Sequence, residues 1–214
     1  MVEQKNNFWK TAGIVFGLVS VLWIIQLIQY FGGYDFSSFG NRPQQIAGLK
    51  GIIFSPFIHA SFEHLISNTI PFLVLLIVLL NAYPKVALVV LVFIHLTSGI
   101  LVWLFAPPYG IHIGISGIIY GIAAFLIASG LFRRDKNSTA IAILVTLIYG
   151  GMVFGFLPTQ GISWQSHLFG ALSGVYIAFV LRKRNLPPLH EFDLEKQENE
   201  KHFFDDESSH PHLN

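Results

Sequence analysis

The sequence predicts an all-α membrane protein with six transmembrane helices and both termini on the cytoplasmic side. Three observations lead there. The composition is 53% hydrophobic and only 12% charged, with a mean hydropathy of +0.58, well outside the range of soluble domains. The apolar residues gather into six runs bounded by prolines or charges. Basic residues then mark alternate run ends: Lys5 and Lys10, Lys85, Arg133, Arg134 and Lys136, and Arg182, Lys183 and Arg184. Lysine and arginine accumulate on the cytoplasmic side of membrane helices, so these ends face the cytosol. Arg42 and Lys50, on the opposite side, are too few to reverse the pattern.

Taken in order, residues 1–11 form a cytoplasmic leader and residues 12–185 the membrane domain. The first run, Thr11–Phe31, reaches about 31 Å at 1.5 Å per residue, enough to cross the hydrocarbon core. Residues 32–50 are polar and glycine-rich and read as an outer loop; Gly51–Ser61 is apolar but holds Pro56 and His59. The second span runs from Phe62 to Tyr83 and stops at Pro84, with Pro71 expected to bend it or to mark a locally loosened turn. The third, Val86–Phe105, ends before Pro107 and Pro108; the fourth starts near Ile115 and ends before Arg133. The fifth covers Thr139–Leu157 and ends at Pro158, and the sixth covers Trp164–Leu181. Tyr83, Trp103, Tyr109 and Trp164 lie near span ends and read as interfacial anchors. Residues 186–214 read as a disordered, acidic cytoplasmic tail, because residues 191–214 carry a net charge of −6. Its His190, His202, His210 and His212 are irregularly spaced, as in a solvated tail. With no cysteine, disulfides and thiolate metal sites are excluded. The lack of an organellar targeting leader favours a bacterial inner membrane.

Polar residues inside a bilayer are costly and mark function by default. Ser116 lies 17 residues before Arg133, Asn68 lies 17 before Lys85 and His167 lies 15 before Arg182. Along near-straight helices these separations are about 26, 26 and 22 Å. A hydroxyl, a carboxamide and an imidazole therefore share one layer near the outer boundary. His64 and Asn68 are i,i+4 neighbours, as are Ser116 and Tyr120, so each pair projects from one face. Gly117 and Gly121 make a ridge on the fourth span; Gly170 and Gly174 continue the stripe of His167 on the sixth. Packing of those ridges would bring His167 to Ser116, supplying the base that an unassisted hydroxyl needs. Asn68 and His64 could then donate hydrogen bonds to an oxyanion. Packing alone also accounts for a serine between small residues, and the soluble hydrolase elbow G-x-S-x-G fails because its fifth position is Ile118.

Gly114-Ile115-Ser116-Gly117 with Tyr120 and Gly121, His167-x-x-Gly170-x-x-x-Gly174, and His64-x-x-x-Asn68 preceded by His59 resemble the signature of rhomboid intramembrane serine proteases. The layout is similar to the minimal six-span bacterial bundle, over about residues 10–185. The resemblance implies Ser116 as nucleophile and His167 as general base, without a carboxylate. It implies an oxyanion hole of Asn68, His64 and the Ser116 backbone N–H, with Tyr120 stacked on His167. It further implies a water-filled cavity open to the outer side and cleavage of single-span membrane proteins near the outer end of their helix. No metal and no organic cofactor are implied; the expected partners are such substrates and the lipid bilayer, and no nucleic acid. One departure is the first outer loop, which lacks the Trp-Arg pair of many members, so the resemblance supplies no anchor for it. His59 is expected to brace the loop before the second span, and His112 to lie in an outer loop.

Two other functions compete. A non-proteolytic rhomboid relative would bind membrane clients, but such relatives typically lack the serine or the histidine, and both are present here. An ion-coupled transporter would draw on His64, His95 and His167, yet it requires polar groups through the whole thickness, and apart from His95 they crowd the outer layer.

Overall fold

The computed structural model describes residues 2–184 apart from residue 160; the expected tail at 186–214 and its histidines lie outside them. The described residues form helices joined by loops, with one isolated antiparallel bridge between Asn41 and His112. Seven α-helices follow one another: α1 (Val2–Gly32), the single turn α2 (Gly51–Phe54), α3 (Phe62–Ala82), α4 (Ala87–Phe105), α5 (Ser116–Arg133), α6 (Lys136–Tyr149) and α7 (Trp164–Val180). Among the described residues, five segments are long and apolar enough to cross a membrane: Trp9–Gly32 of α1, α3, α4, α5, and α6 with its extension to Phe156. At 17 residues α7 is shorter than these, about 26 Å long.

Small residues decide which helix is central. Helices in lipid gain nothing from hiding apolar surface from each other, so they associate where small side chains let backbones touch. α5, rich in glycine, alanine and serine, has 67% of its length buried in protein, against 11% for Lys136–Phe156. A Cβ added to Gly170 would lie 2.0 Å from the Gly117 carbonyl oxygen, and one on Gly174 2.0 Å from that of Gly121. The two glycine ridges thus meet backbone to backbone, and Ile94 of α4 closes the seam against Gly121. Leu65, Leu75, Leu76 and Leu79 of α3 pack with Val15 and Leu22 of α1 and Ile122 and Phe125 of α5. Large apolar side chains such as Ile70, Leu88, Phe105 and Leu147 remain on the outside, as a lipid-facing surface requires.

Three features differ from the sequence reading. α6 starts three residues before the expected Thr139, because the Asp135 side chain caps it by accepting from the Ser138 N–H at 2.9 Å. Its continuation from Gly150 to Phe156 is a 3-10 helix, where the Gly150-Gly151 pair weakens α-helical continuation. Tyr83 is buried in the core instead of anchoring at an interface: its hydroxyl donates to Ser138 Oγ at 3.0 Å and the Arg133 guanidinium lies over its ring at 4.9 Å. The first outer loop, for which the resemblance supplied no anchor, is tied down by backbone, indole and amide groups. The Gln44 N–H donates to the Trp103 carbonyl and Trp103 Nε1 to the Gln45 carbonyl, both at 2.9 Å, and Asn41 Nδ2 donates to the Gly99 carbonyl at 2.8 Å. α3 runs unbroken through Pro71, whose missing N–H removes the helical donor to the Ser67 carbonyl.

Candidate active site

The start of α5 is fixed by two buried contacts. Gly114 has a φ of +101°, and a Cβ there would lie 2.7 Å from the His64 ring; only glycine suits both constraints. The Gly114 N–H donates to the Ser55 carbonyl at 2.9 Å, and the Ile115 N–H donates to His59 Nε2 at 3.4 Å. His59 has no exposed surface, and burial, aided by the neighbouring His64, pushes its pKa down to about 3. Its imidazole is therefore neutral and able to accept that N–H. These contacts make Ser116 the first residue of α5, so its N–H is among those with no acceptor inside the helix.

His167 arrives from α7. The N–H groups of Ser166 and His167 donate to the Ser163 carbonyl at 3.0 and 3.3 Å, forming the first turn. His167 Nε2 then lies 2.9 Å from Ser116 Oγ, and Nδ1 lies 2.8 Å from the Gly155 carbonyl oxygen. A carbonyl can only accept, so Nδ1 carries the proton and Nε2 of the neutral ring accepts from the Ser116 hydroxyl. The Tyr120 ring stacks on the imidazole at 4.1 Å and 4°, while its hydroxyl donates to the Met152 carbonyl at 2.8 Å. Two carbonyls of the 3-10 helix therefore hold the ring and its neighbour.

Ser116, His167, Tyr120, His64 and Asn68 line one half-open recess of about 1080 Å³, together with Pro71, Tyr109 and Trp164. Asn68 Nδ2 donates to the His64 carbonyl at 2.7 Å within its own helix; an amide has two N–H groups, which leaves the other for the recess. Gly117, Gly121, Gly170 and Gly174 form the seam behind the recess, and His59 sits outside the lining, its ring edge-on to His64 at 5.1 Å. His112, expected only as a loop residue, is buried and joins the recess wall with Ser163. His95 lines a separate void of about 30 Å³ with Asn41 and Ser98. Sequence reasoning missed Gly155 and Met152, which act through their backbone carbonyls; the hint was the cluster Gly150, Gly151 and Gly155 in the fifth run.

A hydroxyl bonded to an unprotonated imidazole nitrogen can lose its proton while attacking an electrophilic carbon. Residues 47–184 match the family model of the Rhomboid domain. Uncharacterized proteins of Mycobacterium tuberculosis and Mycobacterium bovis are each 36% identical over 187 residues, covering 83% of this chain and 78% of theirs. An uncharacterized protein of Mycobacterium leprae is 35% identical over 185 residues, covering 81% and 72%.

Proposed function

The chain belongs to the rhomboid family, and from that premise we propose that it is an intramembrane serine endopeptidase, with residues 12–185 as its protease domain. The observation that carries the reading is the 2.9 Å contact between His167 Nε2 and Ser116 Oγ, with Nδ1 bonded to the Gly155 carbonyl. Ser116 Oγ attacks the carbonyl carbon of the substrate peptide bond while its proton passes to His167 Nε2. The oxyanion takes hydrogen bonds from the Ser116 backbone N–H, from Asn68 and from His64, donors that stabilise the charge as it develops. Collapse breaks the C–N bond, His167 gives its proton to the departing amine, and water then hydrolyses the acyl ester by the same steps.

The substrate is a single-span membrane protein cut within or near the outer end of its helix. Extended backbone is costly in lipid, so cleavage follows local unwinding into the wet recess. The six long helices, α1 and α3 to α7, cross the membrane, with both termini in the cytosol. The bacterial origin of the similar proteins supports a bacterial cytoplasmic membrane. Ser116→Ala is expected to abolish both cleavage of a tagged single-span substrate and labelling by a serine-directed phosphonate, with His167→Ala as the parallel control. Wild-type cleavage by purified Ser116→Ala would overturn the assignment.

A further inference from the structure

Ser163 opens α7, but its side chain makes no capping bond to the helix, although serine at that position usually bonds the N–H two or three residues on. Its Oγ lies instead 2.6 Å from Ser166 Oγ and within hydrogen-bond distance of His112 Nδ1. His112 is only 8% exposed and is fixed at its backbone: the Asn41 N–H donates to its carbonyl, and its N–H donates to the Asn41 carbonyl, both at 2.9 Å. The Asn41 amide in turn donates to the Gly99 carbonyl of α4. A continuous run of hydrogen bonds thus leads from α4, through the first outer loop and the α4–α5 loop, to the residue whose carbonyl receives the N–H of His167.

We infer that His112 is a positioning residue for His167: through Ser163 it sets where α7 begins, and so holds the imidazole at its spacing from Ser116. The inference rests on the protease reading above. Without the imidazole, the Ser163 hydroxyl is released to cap its own helix, and the first turn of α7 shifts with it. Displacement of a reacting group by about 1 Å can lower a rate about a hundredfold. Because His112 also borders the recess, a substrate-contacting role has to be separated from a positioning one. The separation is kinetic: positioning alters chemistry at Ser116 with any reagent, whereas a substrate contact alters the affinity for the long substrate.

The test uses the full chain in lipid nanodiscs and reads three quantities: the rate of Ser116 labelling by a small fluorophosphonate, and kcat and KM for a single-span substrate. His112→Leu and Ser163→Ala are each expected to lower the labelling rate and kcat about tenfold, with KM moving less than about threefold. The double variant is expected to be no slower than either single one, since both break the same bond. His112→Asn, which restores a polar group near the Nδ1 position, is expected to recover most of the loss. The inference is overturned if both single variants label at the wild-type rate, if their losses multiply in the double variant, or if the defect lies in KM alone. Ser163→Ala, which removes one oxygen, carries the test should His112→Leu fail to fold. A wild-type protein that labels and cleaves while both variants match it refutes only the positioning role. A wild-type protein that never labels at Ser116 refutes the protease reading and this inference together.

Discussion

His167 is oriented by a peptide carbonyl at the position where soluble serine hydrolases hold a carboxylate. An ionised acid inside a bilayer is expensive. A carbonyl dipole selects the same tautomer without that cost, but in the proposed mechanism it would stabilise the imidazolium less than a full charge would. Geometry therefore has to supply more, and the 3-10 helix fits tightly: a Cβ on Gly155 would lie 1.8 Å from the Tyr120 hydroxyl oxygen and 3.1 Å from His167 Nδ1. Gly155→Ala is accordingly expected to lower kcat by about tenfold to a hundredfold. Adding Tyr120→Phe, which removes the oxygen in closest conflict, is expected to restore part of the rate in a double-mutant cycle. An unimpaired Gly155→Ala enzyme would contradict this account.

At the scale of elements, the α5–α7 seam has no slack. Gly170→Ala forces a methyl group to 2.0 Å from the Gly117 carbonyl oxygen, and overpacking of this kind costs about 1–3 kcal/mol. A lower melting temperature in detergent is the expected result. Gly13→Ala and Gly17→Ala, where nothing lies within 4 Å of the added atom, are expected to leave stability unchanged or slightly raised. Equal melting of all three variants would remove the seam from the list of what holds the bundle. This element was legible in the sequence, because glycines four apart on two apolar runs allow few other uses. The convergence of Ser116 and His167 was legible for a related reason: straight helices convert residue counts into depth. The 3-10 helix was not. Hydropathy cannot distinguish it from α-helix, and the acceptor it offers His167 is a backbone atom that every residue possesses. The His112, Ser163 and Asn41 network escaped likewise, since its members lie in three separate loop or helix-end segments whose meeting depends on the finished fold.

For the whole molecule, the proposed orientation rests on nine basic residues at alternate helix ends. Reporter fusions after Lys10, Lys85, Arg134 and Arg184 are expected on the cytoplasmic side, and insertions at Arg42, Tyr109 and Thr159 on the outer side. The fusion at Arg184 is the decisive one for the proposed sixth span, because α7 is about 4 Å shorter than a typical 30 Å hydrocarbon core and would need local thinning of the bilayer to cross it. A signal from the outer side there would leave five crossings. The same molecule also sets a limit on genetics. The acceptor for the His167 ring belongs to the peptide link between Gly155 and Phe156, so no codon change deletes it, and a scan of every side chain would register only the crowding around it. Replacing Phe156 by its α-hydroxy acid, which turns that link into an ester with a feebler oxygen acceptor, is the chemical edit that reaches it.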